Sequence, residues 1–519
     1  MVRGVADQHQ LGREGNASGG NPLMHDREKS DRPVVPASPP NNPGRPGAEV
    51  GEGRGLPEGN TTGETRSGRS AGSGVSSDLD RVRQVARKDK DVRFTALLHH
   101  VTVDRLREAY RAISPDAAAG VDGVTWRDYG QDLEGNLEDL HARVYRGAYR
   151  ARPTRRVFIP KPDGRLRPLG VASLEDKILQ RAVVEVLNAI YETDFLGFSY
   201  GFRPGRSAHD ALDALAVGIG RKKVNFMLDA DISDFFTQLD QGWLERFLEH
   251  RIADRRVLRL IQKWLRAGVI VDGEWSETEA GTAQGASVSP LLSNVFLHYV
   301  FDLWADQWRR RHARGDVILC RYADDFLAGF EHRDDAERFL ADLRDRFAQF
   351  GLELHPDKTR LIEFGRFAAR DRARRGDRKP ETFDFLGLTH ICAEDRHGRF
   401  KLKRVTSKKK MHAKLRSVKA EMRKRMHHPI PEQGHWLARV LQGHFNYYAV
   451  PDNSEALHGF RRRLIRLWLQ ALRRRSQKDR LTWKRMLDLE TRWLPEPRIQ
   501  HPWPNQRFDA RTQGRSPVR

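Results

Sequence analysis

Two adjacent carboxylates, Asp324 and Asp325, stand between an apolar run at 317–322 and a second one at 326–330. Both runs are rich in β-forming residues, so the pattern predicts a hairpin with the acid pair at its tip. Like charges side by side repel, so the stability of a hairpin does not call for them. A divalent cation such as Mg²⁺ would offset the repulsion, because it binds through carboxylates together with substrate phosphates. The alternative is a polar turn whose Asp side chains face water, so the metal hypothesis depends on partners elsewhere.

A second pair of carboxylates, Asp229 and Asp231, lies near the end of the predicted strand at 224–232. Side chains two residues apart in a strand share one face of a sheet. Two metal ions about 3.5–4 Å apart, bridged by such carboxylates, activate a 3′-hydroxyl and stabilise a leaving pyrophosphate. Asp231 is the better candidate ligand, because one residue at the strand end usually suffices. Together with the acid pair, this strand predicts a two-metal site for phosphoryl transfer.

Two cations flank a predicted turn in another hairpin. Residues 155–169 read as two strands joined at a Pro-Asp-Gly turn, with Lys161 and Arg167 on either side of it. Two such cations can clamp a triphosphate and stabilise charge on the transferring phosphoryl group. The alternative is a basic hairpin that faces solvent.

Two loops have compositions suited to nucleic acid. Residues 199–209 form a turn-rich basic loop that includes Arg203, and residues 280–290 form a small-residue loop that includes Gly285. Small residues let a base pair or a sugar approach the backbone closely. The alternative for the second loop is a helix cap without a further role.

The charge of the chain is concentrated in its last quarter. The 519 residues carry a formal net charge of +22, and residues 401–519 hold 30 Lys and Arg against nine Asp and Glu. A field of this sign and density indicates a polyanion partner, most plausibly nucleic acid. The alternative is a charged helical surface without a partner.

The totals also exclude several classes of protein. A chain of this length predicts roughly two to four domains. The mean hydropathy is −0.69 and no apolar run reaches the roughly 20 residues of a membrane span. No apolar signal core is present at the N-terminus, so an intracellular, cytoplasmic protein is expected. The two cysteines, Cys320 and Cys392, exclude a disulfide framework and an all-cysteine zinc site.

Taken in order, Asp231, the Gln284-Gly285 pair and the Tyr322–Asp325 segment resemble the palm of a reverse transcriptase. The resemblance is to the group II intron-encoded reverse transcriptases, or maturases, without their C-terminal endonuclease. It extends from about residue 78 to the C-terminus and is carried in detail by the stretches 159–170, 199–212 and 281–298, with 351–359 and 383–387 completing the palm. Ala283 departs from the family, which commonly has Pro there.

The resemblance implies an α+β fold with the fingers and palm of a right-hand polymerase, an antiparallel palm sheet, and then an α-helical thumb and a maturase domain. The low hydrophobicity of the first residues predicts a disordered arm. The expected segments are a disordered arm at 1–77, a helical extension of the fingers at 78–150, fingers and palm at 151–390, a thumb at 391–430, a maturase domain at 431–500 and a basic tail at 501–519.

The resemblance also implies roles for single residues. Two Mg²⁺ ions would be held by Asp231, Asp324, Asp325 and the Ile232 carbonyl. A deoxynucleoside triphosphate would be contacted by Lys161, Arg167, Phe236 and Gln284, with Phe236 excluding a 2′-hydroxyl. The primer and template would be contacted by Tyr322, Gly285 and Arg203.

The C-terminal region combines aromatic residues with arginines, a composition that suits RNA. The arginines are the better candidates for RNA contacts: Arg461, Arg462, Arg463, Arg473, Arg474 and Arg475. Most of the aromatic residues are expected in a helical core: Phe445, Tyr447, Trp468 and Trp483.

The sequence therefore predicts an RNA-directed DNA polymerase that binds group II intron RNA as template and splicing partner, uses target DNA as primer in retrohoming, and does not contact membranes. The alternatives are an RNA-templated RNA polymerase, a catalytically silent RNA-binding maturase, and a domesticated reverse transcriptase in phage defence.

Overall fold

The computed structural model describes residues 73–160, 166–271, 274–276, 281, 285–475 and 481–512, which form a mixed α+β fold. The α+β prediction is confirmed at this level. Of the predicted disordered arm, residues 1–72 lie outside the described residues, and the last five residues belong to the first helix. No helix among the described residues is long and apolar enough to cross a membrane.

The helices are α1 (Ser73–Lys88), α2 (Val103–Arg111), α3 (Trp126–Tyr129), α4 (Leu133–Tyr145), α5 (Leu174–Asp194), α6 (Ala208–Arg221), α7 (Phe235–Gln238), α8 (Gln241–Glu249), α9 (Arg255–Leu265), α10 (Ser289–Leu297), α11 (Leu303–Arg311), α12 (Arg333–Ala348), α13 (Ala368–Arg374), α14 (Lys408–Lys424), α15 (Ile430–Tyr448), α16 (Ser454–Arg474), α17 (Trp483–Trp493) and α18 (Pro504–Thr512). A π-helical turn, His298–Asp302, joins α10 to α11.

The strands are β1 (Thr154–Pro160), β2 (Leu166–Val171), β3 (Phe226–Ala230), β4 (Val269–Val271), β5 (Glu274–Ser276), β6 (Val317–Tyr322), β7 (Asp325–Phe330), β8 (Arg360–Glu363), β9 (Phe383–Phe385), β10 (Leu388–Glu394) and β11 (Phe400–Thr406).

The central sheet is antiparallel and has the strand order β6-β7-β3-β8. Helices α6 and α12 pack on it. Five of the six residues in each of β6 and β7 are buried, whichever face they lie on. A strand covered on both faces needs apolar residues at every position, which explains the unbroken apolar runs around the acid pair.

The other predicted hairpin is present as β1 and β2, which pair antiparallel from Arg155 opposite Val171 to Pro160 opposite Leu166. This hairpin belongs to a second sheet of order β2-β1-β4-β5. Its Pro-Asp-Gly turn lies outside the described residues.

The predicted boundary between palm and thumb at residues 390 and 391 cuts a strand. Strands β9, β10 and β11 form a three-stranded sheet, so the first part of the predicted helical thumb is β-structure. The reason is an alternation of side chains, seen in Lys401-Leu402-Lys403, which suits a strand rather than a helix. The basic helix begins at Lys408 with α14.

Helices α14 to α17 share one apolar core. Trp468 is fully buried there and donates its indole N–H to the Gln433 side-chain oxygen at 2.9 Å. The prediction of core aromatic residues is confirmed for Phe445 and Trp468, whereas Tyr447 is half-buried. It is wrong for Trp483, which is 49% exposed at the first position of α17.

Part of the predicted basic tail is an ordered helix, α18, that packs on α6. Arg507 Nε contacts the Asp213 carboxylate at 3.1 Å, and Asp509 accepts from Arg221 at 2.8 Å. The helix was not predicted because its partners on α6 lie far earlier in the chain, 288 positions apart in the case of Arg221 and Asp509.

Candidate active site

The acid pair lies at the tip of a hairpin, as predicted. Tyr322 pairs with Asp325 at the ends of β6 and β7, which leaves Ala323 and Asp324 as a two-residue turn. Ala323 has φ = 58°, a value that glycine usually supplies in such turns. The turn is therefore strained, and the surrounding structure must hold it in place.

The second carboxylate segment lies beside this tip. The β3–β7 ladder ends with Ala230 opposite Phe326, and the next residue along the chain is Asp231. Because the strands run antiparallel, Asp231 continues toward the position opposite Asp325. Residues that face each other across such a ladder have Cα atoms about 4.5–5.5 Å apart. The register thus brings two distant segments of the chain together at one end of the central sheet.

Strand β8 and the residues before it bring positive charge to the other side of β3. Arg360 is paired with Asp229 across the ladder, and its guanidinium donates to the Asp229 carboxylate at 3.1 Å. Burial raises the pKa of Asp229, and Arg360 opposes that shift. Lys358 forms an ion pair with the Asp231 carboxylate, and the His355 N–H donates to the Asp231 carbonyl at 2.8 Å.

The chemistry of these side chains fits a magnesium site, although the described residues contain no group of three or more His, Cys, Asp or Glu side chains arranged to hold a metal ion. Asp231, Asp324 and Asp325 offer carboxylate oxygens, the ligands that Mg²⁺ prefers. The Lys358 ammonium compensates the negative charge of the Asp231 carboxylate, as a bound cation would.

Four residues are predicted to contact the nucleotide, and the structure describes two of them in part or in full. Lys161 and Gln284 lie outside the described residues, and Arg167 is described only as a backbone position in β2, opposite Ile159. Phe236 lies in the short helix α7, which begins at Phe235, shortly after Asp231 along the chain. Its ring is half-buried and lies 5.4 Å from the ring of Phe235.

Gly285 requires glycine for two reasons. Its φ is 108°, and a Cβ atom there would come within 2.8 Å of the Gly170 carbonyl oxygen in β2. Gly285 therefore lies directly against the backbone of β2, and the predicted approach of a base pair or sugar to this loop stays a prediction. Tyr322, the third residue assigned to the primer, is half-buried at the end of β6.

The prediction that Arg203 contacts primer or template is wrong. Its side chain is buried and binds the Glu192 carboxylate, with Nη2 and Oε2 2.9 Å apart. It also donates to the Leu196 and Ser199 carbonyls, both at 2.8 Å. The guanidinium holds the loop together and is not available to a nucleic-acid backbone.

The prediction of RNA contacts by Arg461 is wrong for the same reason. Arg461 is buried in α16, where it pairs with Glu490 and donates to the Pro495 carbonyl at 3.0 Å. Arg475 is half-buried. The other four arginines predicted to contact RNA are exposed: Arg462, Arg463, Arg473 and Arg474. Arg473 also donates to the Leu481 carbonyl at 3.0 Å.

Sequence reasoning missed two residues next to the hairpin tip. Phe202 is 43% exposed and has φ = 58°, and its neighbour Gly201 packs against Ala323. Arg321 is completely buried beneath the tip. Its signal in the sequence was a single charge inside an apolar strand, which a buried network of hydrogen bonds explains.

Comparison with known proteins agrees with this geometry. The family model for reverse transcriptase (RNA-dependent DNA polymerase) matches residues 159–390, which contain the central sheet and both carboxylate segments. Protein YkfC of Escherichia coli is 34% identical over an alignment of 275 residues, and the match covers 47% of this chain and 72% of YkfC. The group II intron-encoded protein LtrA of Lactococcus lactis is 31% identical over 222 residues, which are 42% of this chain and 37% of LtrA.

The chain belongs to the group II intron reverse transcriptase and maturase family. The match to this family also reaches plants, since the mitochondrial nuclear intron maturase 2 of Arabidopsis thaliana is 30% identical over 111 residues, 20% of this chain and 15% of the plant protein. The expectation drawn from the order of the motifs is confirmed. The reverse transcriptase match ends at residue 390, so the C-terminal helices lie beyond it.

Proposed function

We propose that this reverse transcriptase synthesises DNA on an RNA template and binds group II intron RNA as a maturase. The observation that supports the polymerase activity is the β3–β7 register, which directs Asp231 toward Asp325 at the tip of the hairpin. Carboxylates from two strands at one sheet end could hold metal ions, which would stabilise the negative charge that develops on a transferring phosphoryl group.

In the proposed site, Asp231, Asp324, Asp325 and the Ile232 carbonyl hold two Mg²⁺ ions. When bound, the ions activate the primer 3′-hydroxyl and neutralise the pyrophosphate that leaves. A cation held by Asp231 would compensate the charge that Lys358 compensates in the ion pair. Lys161, Arg167 and Gln284 contact the incoming triphosphate, and Tyr322 and Gly285 contact the primer and template.

In the proposed layout, β1 and β2 belong to the fingers, the central sheet forms the palm, and α14 is the helix of the thumb. The maturase region is the bundle of α15, α16 and α17. The exposed basic residues of α14 and α16 supply the field that attracts intron RNA: Lys408, Lys409, Lys410, Arg416, Lys419, Arg423, Lys424, Arg462, Arg463, Arg466, Arg473 and Arg474.

Replacing Asp324 by Asn tests the polymerase assignment. The change keeps the size of the side chain and removes its charge, so we expect primer extension on an RNA template with Mg²⁺ to fall by at least about 100-fold. Binding of the RNA should stay within about twofold of the wild type, because the basic helices are untouched. Extension that continues at the wild-type rate would contradict the metal role, and a wild type without extension would favour the silent maturase.

Replacing Phe236 by Ala tests the selection of deoxynucleotides. Removing the ring opens space at the 2′ position, so incorporation of ribonucleotides relative to deoxynucleotides should rise roughly 10-fold or more. The measurement is single-nucleotide extension with each substrate. The control Phe236→Tyr keeps the bulk of the ring and should retain the selectivity. Equal selectivity in the Ala variant would assign the discrimination to another residue.

A further inference from the structure

Arg321 uses every hydrogen-bond donor of its guanidinium. Nε and Nη2 donate to the two oxygens of Asp302 at 2.6 and 2.5 Å, and Nη2 also donates to the Ser199 hydroxyl at 2.7 Å. Nη1 donates to Asn294 Oδ1 and to the Ala323 carbonyl, both at 3.0 Å. A guanidinium has five N–H groups, so all five are satisfied inside the protein.

These acceptors come from four separate segments that meet at the hairpin tip. Ser199 lies in the loop before α6, Asn294 in α10 and Asp302 in the π-helical turn that follows it, while Ala323 is the strained residue of the tip itself. The Ala323 carbonyl is adjacent to Asp324 along the chain. Arg321 therefore connects three supporting elements to the turn that carries the acid pair.

Backbone contacts make the same connection. The Tyr200 N–H donates to the Arg321 carbonyl, and the Arg321 N–H donates to the Phe198 carbonyl, both at 2.8 Å. A Cβ atom on Gly201 would come within 2.3 Å of the Ala323 nitrogen, so this glycine lets the loop lie directly on the tip. The Asn294 amide donates to the Gly201 carbonyl at 2.7 Å, which fixes the loop from the other side.

Stability alone does not account for such a network. Well-packed apolar residues in place of a buried ion pair are often neutral or stabilising, because they avoid the cost of removing charges from water. A strained turn, in contrast, persists only where its surroundings determine its conformation. The network supplies that constraint at Ala323, directly before the two carboxylates whose orientation a metal site would depend on.

We propose that Arg321 is a positioning residue that holds Asp324 and Asp325 in the arrangement that binds metal, and that couples this tip to the loop at 198–203. The inference rests on the proposed polymerase function. The loop carries the exposed ring of Phe202, so a nucleic-acid strand that moves the loop also changes the contacts of the acid tip.

The test measures how the complex with nucleotide depends on Mg²⁺, without chemistry. Wild type and variants are mixed with an RNA template, a dideoxy-terminated primer and the next deoxynucleotide, and the stable complex is measured against Mg²⁺ concentration. Ser199→Ala and Asn294→Ala each remove one acceptor from Arg321. We expect the half-saturating Mg²⁺ concentration to rise roughly fivefold or more, while Ser199→Thr, which keeps the hydroxyl, behaves as the wild type.

The matched control is another buried Arg–Asp pair. Arg404 and Asp213 are both 3% exposed in their side chains and lie 2.8 Å apart, on β11 and α6 rather than at the tip. Asp213→Asn should lower the thermal midpoint and leave the Mg²⁺ dependence unchanged. If Asn294→Ala and Ser199→Ala lower the midpoint but keep the wild-type Mg²⁺ dependence, Arg321 is only structural and the inference is overturned. A wild type that forms no Mg²⁺-dependent complex overturns the polymerase function itself.

Discussion

Two residues with left-handed backbone conformations meet at the acid tip. Ala323 and Phe202 both have φ = 58°, and the glycine beside Phe202 packs on Ala323. A side chain in this region costs about 1 kcal/mol or more, so neither residue is the choice that stability alone would make. Phe202 also exposes a large ring, which is a stacking surface for an unpaired base.

Replacing Phe202 by Gly separates the cost of this residue from its use. Glycine relieves the backbone strain, so we expect the free energy of unfolding to rise by about 1 kcal/mol. Loss of the ring should weaken template–primer binding several-fold, because base stacking contributes about 1–3 kcal/mol per base. The measurements are thermal unfolding and equilibrium binding.

The control for this pair of effects is Phe202→Ala, which removes the ring and keeps the strain. It should weaken binding to the same extent without the gain in stability. Unchanged binding in both variants would show that the ring does not contact the template.

At this scale the acids were predictable and the arginines were not. Asp231, Asp324 and Asp325 stand out because like charges beside apolar strands need a compensating partner. The sequence around Arg203 and Arg461 gives no such signal. An arginine in a basic loop or helix has the same sequence context whether its side chain faces solvent or a buried carboxylate. Their partners, such as Glu192 and Glu490, become visible only in the folded chain.

Among the elements, α16 shows how one helix divides a run of arginines. Arg461 faces inward, toward α17, while Arg462 and Arg466 are exposed one turn apart on the outer side. Arg463 contacts the sulfur of Met411 in α14 at 3.3 Å, which joins the exposed side of α16 to the basic helix α14. The arginines that are exposed and could contact RNA are therefore determined by the geometry of the helix, and not by their being consecutive in the sequence.

Neutralising Arg462 and Arg466 together tests this surface. We expect weaker intron RNA binding, and the slope of log affinity against log salt should decrease by about 0.7–0.9 for each phosphate that these two arginines neutralise in the wild type. The matched control removes two exposed arginines of α12, with Arg333→Gln and Arg344→Gln. An equal change in both double variants would mean that only net charge matters, and no change in the first would exclude α16 from the interface.

The three-stranded sheet of β9, β10 and β11 was harder to predict than the two hairpins. The hairpins β1–β2 and β6–β7 were predictable because turn residues separate two apolar runs. Strand β11 and residues 391–394 of β10 lie in the segment that the resemblance predicts to be a helical thumb, although Lys401-Leu402-Lys403 alternates as in a strand. The pairing of β10 with β9 on one side and with β11 on the other decides their structure.

On the scale of the whole molecule, neutral histidines are buried in several packed regions. Burial lowers the pKa of each to about 3: His209, His390 and His444. Because the folded pKa lies below the unfolded value near 6.5, the unfolded chain binds more protons at intermediate pH. Stability is full above pH 6.5 and falls as the pH decreases toward 3.

His444 allows a direct test, since its ring stacks on Phe460 at 3.9 Å in the core of α15 and α16. At pH 5, unfolding should take up about one proton fewer in His444→Phe than in the wild type. The proton uptake is obtained by calorimetry in buffers of different ionisation enthalpy. The same uptake in both proteins would mean that His444 is already charged in the fold.

The helix α18 has a consequence for how the protein is made. It covers α6 and supplies Arg507 to Asp213, and the contact between Arg221 and Asp509 spans 288 positions of the chain. The ribosome synthesises α6 long before α18. In the nascent chain, the Asp213 carboxylate on α6 therefore lacks Arg507 until α18 has been synthesised. The packing of α18 on α6 can form only after the C-terminal helices have been synthesised, so the fold of the region around α6 is completed late in translation.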